Sequence, residues 1–251
     1  TPTSSPTPTV TPSVTPTVPP TPRPIYLPLV ARRTCTEVGR PVELALVIDT
    51  STSMRRETTA GRSKLAAAQE AARTVVGLLR LGPDGQGEPD RVAIVAFNDS
   101  AWTAQPLTSD GALVAAALAG LPARVAEGTR LDLALAEGSL AISRPNRRAG
   151  SLPVLILLTD GLPNWVPTPV PSGSQADAVL AIARQAKTDG VRTFTVGVGR
   201  PDGPELVDRI DADLLRAVAS DPADYYETPD AEDLARIYRQ IASRLRCPGD
   251  G

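Results

Sequence analysis

Histidine is absent from this chain of 251 residues. That removes the usual general base and the commonest metal ligand, so a Ser–His–Asp or Cys–His hydrolase and a His-ligated zinc enzyme are both excluded. Cysteine is scarce. The two present, Cys35 and Cys247, are far too distant in sequence for a CxxC redox pair or a metal knuckle. No apolar run approaches the roughly 20 residues that a membrane-spanning helix needs. The longest, ALVAAALAGL, reads as part of a buried helix, so no membrane insertion is expected. Charge of one sign is missing too: the net charge is −2, with both signs mixed throughout, and no basic face for nucleic acid is advertised.

Proline is abundant but unevenly placed. Residues Thr1 to Pro24 hold nine of the chain's 26 prolines among Thr, Ser and Val. With helix and strand pairing blocked and little to bury, this stretch reads as an extended, polyproline-like spacer of the kind that is often O-glycosylated. A short apolar patch, Ile25 to Val30, follows and is assigned no chemistry. The expected division is a Thr/Pro-rich stalk or linker over 1–34, a folded domain over 35–247 and a tail over 248–251. The chain opens on Thr, without an initiator Met or a signal peptide, as expected of a processed form or a piece of something longer. The spacer argues for a secreted or cell-surface setting. There, cysteines at the two edges of a domain read as a Cys35–Cys247 disulfide, although two unrelated buried thiols are the plainer alternative. Closing so long a loop would stabilise by about 4 to 5 kcal/mol before strain.

From Val42 onward the pattern alternates strand and helix. VELALVID, RVAIVAFN, LPVLILLT and VRTFTVGVG are near-continuous apolar runs, as in parallel strands buried on both faces. AWTAQPLT carries Pro106 and is expected at a sheet edge; DYYET is a short last strand. Helices are predicted over Arg62–Leu81, Asp110–Leu118, Arg130–Ser143, from a Ser174/Asp177 capping box to Gly190, over Asp211–Ala219, and from Pro229 to about Arg246. The fold class that follows is α/β: a doubly wound, mostly parallel six-stranded sheet with helices on both faces. Ligands of such folds lie beyond the carboxyl ends of the strands, where the winding direction reverses.

Five oxygen-bearing side chains fall at such places. Asp49, Ser51 and Ser53 lie in LALVIDTSTSM, Thr129 in EGTRLDLAL, and Asp160 in VLILLTDG. Two carboxylates and three hydroxyls converging on one point would make a hard-oxygen cage for Mg²⁺, with Mn²⁺ or Ca²⁺ as substitutes, rather than for zinc. Two negative charges only neutralise a dication, so the cage leaves the metal able to take an acidic oxygen from outside. Taken singly, Ser51, Ser53 and Asp160-Gly161 could be ordinary turn residues, and Thr129 a plain helix cap.

Together, Asp49-Thr-Ser51-Thr-Ser53, Gly128-Thr129 and Asp160-Gly161 resemble the three metal segments of von Willebrand factor type A (VWA) domains, in the family's order, within roughly Val42 to Leu245. The resemblance implies a Rossmann-like fold with a metal-ion-dependent adhesion site (MIDAS). Ser51 and Ser53 would ligate directly, Thr129 and the aspartates directly or through water, and a Glu or Asp carboxylate of a protein partner would complete the metal. Met54, Asn164 and Trp165 are expected at the ligand rim, Trp165 on a proline-stiffened loop. Integrin β-type relatives carry further acidic residues after DxSxS; Met54-Arg-Arg-Glu57 stands there instead, against a second metal site. A Cys35–Cys247 bridge would tether the last helix and favour one state.

The function expected is a monomeric, non-enzymatic, extracellular adhesion or protein-interaction module. The alternative is an accessory domain that recruits a subunit to a surface, secreted or ATPase-linked assembly. A metal-dependent hydrolase lacks a base, since both acids are committed to the cation.

Overall fold

The computed structural model describes residue 1 and residues 40–82, 88–164, 175–203 and 209–246. The spacer, both cysteines, the Ser174 cap and Trp165 lie outside the described residues.

Six strands run β1 (Val42–Asp49), β2 (Arg91–Phe97), β3 (Ala101–Thr108), β4 (Leu152–Thr159), β5 (Arg192–Val198) and β6 (Tyr225–Thr228). They form one sheet in the order β3-β2-β1-β4-β5-β6. All neighbours pair parallel except β2 and β3, which are antiparallel. The expected edge strand is therefore an edge strand. Its register slips between Val92 and Val95, opposite the stretch where Pro106 cannot donate to the ladder.

The continuous apolar runs are explained by burial on both faces. Every residue of β1 is buried. Leu44, Leu46 and Ile48 pack toward α1 (Lys64–Val76), α2 (Gly111–Gly120) and α6 (Leu234–Arg246). Ala45 and Val47 pack on the opposite side, with α3 (Leu131–Ala141), α4 (Gln175–Thr188) and α5 (Ala212–Val218). Each fully buried aliphatic side chain contributes about 1.5 to 3 kcal/mol relative to exposure. Glu43, on β1, is fully buried and is held by Arg91 at 2.9 Å and Arg148 at 2.7 Å.

Several helix ends depart from the sequence expectation. α1 begins at Lys64, capped by the Ser63 hydroxyl, which accepts from the Ala66 amide at 3.1 Å. Arg62 stays outside the helix because its guanidinium binds Glu232. After Val76 the chain tightens into i→i+3 turns at Leu78 and Leu79, so the apolar period continues while the α-helix does not. α2 runs to Gly120, two residues past the predicted Leu118, and a 3₁₀ turn, Leu121–Arg124, follows it directly. The last helix starts at Leu234, not Pro229, behind a 3₁₀ turn over Ala231–Asp233 capped by Asp230.

Between β1 and β4 the strand order reverses direction: β2 and β3 lie to one side of β1, and β5 and β6 beyond β4. The carboxyl ends of these two central strands are Asp49 and Thr159, with Asp160 next in the chain. The fold thus delivers both aspartates to the reversal point of the sheet.

Candidate metal centre

The turn after β1 is built around its own carboxylate. Asp49 Oδ1 accepts the Ser51 amide at 2.7 Å, which folds the chain back over the strand end. Thr50 is anchored to β2 by its amide and hydroxyl, both donated to the Phe97 carbonyl. A 3₁₀ turn over Thr52–Arg55 then brings Ser53 back beside Ser51, with the two hydroxyl oxygens 2.8 Å apart. The Ser53 hydroxyl donates in turn to Asp160 Oδ1 at 2.7 Å. Four of the five predicted residues are thereby joined in one hydrogen-bonded chain, Asp49 through the Ser51 amide and the others through their side-chain oxygens.

Thr129 arrives from a third loop. Its amide donates to Asn164 Oδ1 at 2.7 Å, and the Asn164 amide donates back to the Thr129 carbonyl at 3.1 Å. A side-chain carbon placed on Gly161 would lie 3.4 Å from Thr129 Oγ1, so this hydroxyl stands against the Asp160–Gly161 backbone. The preceding Gly128 is obligatory: its φ is +102°, and a Cβ there would lie 2.8 Å from the Asp99 backbone. The structure therefore brings all five predicted oxygen donors to one end of the β1/β4 seam. Asp49 and Asp160 are fully buried, and Ser51 and Thr129 nearly so. Ser53 is half-buried and forms the solvent side of the cluster.

Three further residues complete the arrangement and were not singled out from sequence. Thr159 donates its hydroxyl to Asp49 Oδ2 at 2.7 Å. The Asn98 amide group donates to the Arg124 carbonyl at 2.8 Å, and the Asn98 carbonyl accepts the Arg130 amide at 2.9 Å, bracing the Thr129 loop. Lys64 places its ammonium 2.9 Å from Asp160 Oδ2. A polar residue closing an apolar strand was the available signal for Thr159. Lys64 had no comparable signal.

The predicted rim is corrected in part. Met54 is fully buried and belongs to the core, because the 3₁₀ turn points it inward between α1 and the sheet. Asn164 is exposed at the site, yet its side-chain oxygen is engaged in positioning Thr129. Beside the cluster lies a cleft of about 520 Å³, lined among others by Arg56, Glu57, Lys64, Arg200 and Asp230.

The electrostatics favour a cation. Burial, and then the charge of Asp160, push the Asp49 carboxyl up to about 7, against the hydrogen bonds from Ser51 and Thr159. Burial likewise holds Asp160 above the usual carboxylate range, with Lys64 and the Ser53 hydroxyl pulling it back. Two buried carboxylates that resist joint ionisation are a pair that a divalent cation would relieve. The donor set, carboxylate and hydroxyl oxygen alone, suits a hard ion such as Mg²⁺. Among the described residues no group of three or more His, Cys, Asp or Glu side chains gathers at one point, so a cation here would depend on the hydroxyls as well as the acids.

Comparisons with known proteins agree with this architecture. The sequence matches the von Willebrand factor type A domain family over residues 43–240. No curated protein matches. Among solved structures, proximal thread matrix protein 1 from the mussel byssus is 20% identical with a TM-score of 0.64, over 83% of this chain and 47% of its own. Another crystal of that protein has a zinc-occupied MIDAS motif. The pilus adhesin SpaC from Lactobacillus rhamnosus GG is 17% identical with a TM-score of 0.65, over 82% of this chain and 31% of its own. The vWF domain of the type V pili tip protein Mfa5 from Porphyromonas gingivalis is 16% identical with a TM-score of 0.66, over 85% of this chain and 97% of its own. The chain thus spans less than half the length of the mussel and SpaC chains it resembles.

Proposed function

The chain belongs to the von Willebrand factor type A family, and from that premise we propose an adhesion or protein-interaction module that binds an acidic group of a partner through a divalent cation. The observation that carries the reading is the hydrogen-bonded set of residues at the sheet's reversal point: Asp49, Ser51, Ser53 and Asp160, with Thr129 held against Gly161. A cation bound there, Mg²⁺ in the first instance, would supply a fixed positive charge for a carboxylate oxygen of the partner.

The chain's own residues prepare that step. Asp49 and Asp160 are held rigid by hydrogen bonds from Ser51, Thr159, Ser53 and Lys64, so little ordering remains when the site is filled. Burial removes competing water from four of the five donors, and Ser53 marks the side on which a partner can approach. Binding alone, with no catalytic step, is what this reading assigns to the site. An extracellular or cell-surface setting is consistent with the Thr/Pro-rich spacer. Adhesin and byssal proteins share this fold.

Calorimetric titration with Mg²⁺ and Mn²⁺ tests the reading, with Asp49→Ala as the control. Saturable, single-site uptake that the variant loses supports it, and equal uptake by both proteins removes it. Capture of partners from the native surroundings with and without EDTA then extends the test to the carboxylate: a true partner is lost both with EDTA and with the variant.

A further inference from the structure

We infer that Lys64 sets the charge of the centre, holding its affinity for the cation down and its affinity for a partner's carboxylate up; this deepens the reading above and rests on it. Lys64 is the first residue of α1, and the helix has no acidic residue in its first turn. A cation at that end opposes the helix dipole, so local helix chemistry gives no reason for it. A local rule broken beside a binding site points to a role in the site.

The position is fixed at both ends. The Lys64 amide donates to the Arg56 carbonyl at 2.9 Å, and the ammonium reaches Asp160 Oδ2 at 2.9 Å. Its side chain is 12% exposed and that of Asp160 is fully buried, so the pair is shielded from bulk screening. The aspartates contribute two negative charges and the hydroxyls none. With both carboxylates ionised, as a bound dication requires, the ligand set with Lys64 carries −1 by itself, +1 with the dication, and zero once a carboxylate has joined. Without Lys64 the dication alone would neutralise the centre, and the carboxylate would then impose an uncompensated charge. The lysine thus opposes the first binding event and favours the second. A purely structural residue would support both or neither.

The test uses Mn²⁺ alone and then acetate on the Mn²⁺-loaded protein. Calorimetry reads the first affinity, and water-proton relaxation at the Mn²⁺ reads the second. Even with the screening of bulk water, a unit charge across a shared carboxylate from a dication shifts affinity about tenfold, and against a carboxylate about threefold. Lys64→Met should bind Mn²⁺ at least about tenfold more tightly and acetate about threefold more weakly. Lys64→Gln, which keeps a hydrogen-bonding head, should behave alike and serves if the Met variant does not fold. Lys64→Arg, which keeps the charge, should track the wild type on both measures. Two affinities that move together, or neither moving, overturn the inference while leaving the metal centre in place. If the wild-type protein takes up no Mn²⁺, the centre itself falls and this inference with it.

Discussion

Asp49 offers a test in which stability itself reports the metal. Its carboxyl is fully buried and is raised from an ordinary 3.8 to about 7, first by desolvation and then by Asp160. When divalent cations are removed, the folded protein keeps a proton that the unfolded chain has already lost. The stabilisation from that protonated form is complete below the unfolded value of 3.8 and disappears as pH rises through about 7. The whole shift corresponds to a ceiling of about 4 kcal/mol. For a domain of this size, half of that ceiling lowers the melting temperature by about 4 to 8 °C. Bound Mg²⁺ selects the ionised carboxylates, so saturating Mg²⁺ should raise stability most at the alkaline end. Thermal unfolding followed by circular dichroism, at about pH 5.5 and about pH 8, in EDTA and in millimolar Mg²⁺, reads all four corners. Asp49→Asn keeps the shape, removes the charge, and should flatten the slope seen in EDTA. A wild-type melting temperature in EDTA that tracks the Asn variant across this range would show that Asp49 takes up no proton on folding. A melting temperature near pH 8 that Mg²⁺ leaves unchanged would show that the cluster binds no Mg²⁺.

Gly128→Ala should cost about 1 to 3 kcal/mol from backbone strain at φ +102° alone. It should also weaken Mg²⁺ uptake, because the added methyl displaces Thr129; a melt and a titration together check both effects. Glu43→Ala should leave Arg91 and Arg148 without their buried counter-charge and cost about 2 to 4 kcal/mol in chemical denaturation. Mg²⁺ affinity should not change, since Glu43 lies six residues up β1 from Asp49, about 20 Å away. Trp165→Ala should weaken partner binding at least about tenfold with the metal affinity intact, if this side chain anchors the interface. An unchanged partner affinity removes it from the rim.

The sheet was readable because parallel strands buried on both faces leave unbroken apolar runs, and β1, β2, β4 and β5 stand where those runs stand, while Pro106 marked β3 as the edge. The site was readable for a related reason. Polar residues that close an apolar strand, as in VID and LLTD, must be satisfied by each other or by a ligand. The losses were local. Met54 shares a segment with the serines, and only the 3₁₀ turn, which sequence does not announce, turns it into the core. Arg62 has a helical residue's propensity, but a long-range pair with Glu232 holds it before the helix. Lys64 escaped notice because its partner, Asp160, is 96 residues away in sequence. A contact of that span is set by topology and leaves no periodic trace.

The central claim is that a single dication, held by Asp49, Ser51, Ser53, Thr129 and Asp160, accepts a carboxylate from outside. The most direct measurement is the anomalous diffraction of a crystal grown with Mn²⁺ and a short Glu-containing peptide. One Mn²⁺ peak is expected, bonded to the Ser51 and Ser53 hydroxyl oxygens, with the aspartates and Thr129 bound directly or through water, and a peptide carboxylate oxygen on the metal. No peak at this cluster, or a metal whose ligands all come from the chain itself, would contradict it.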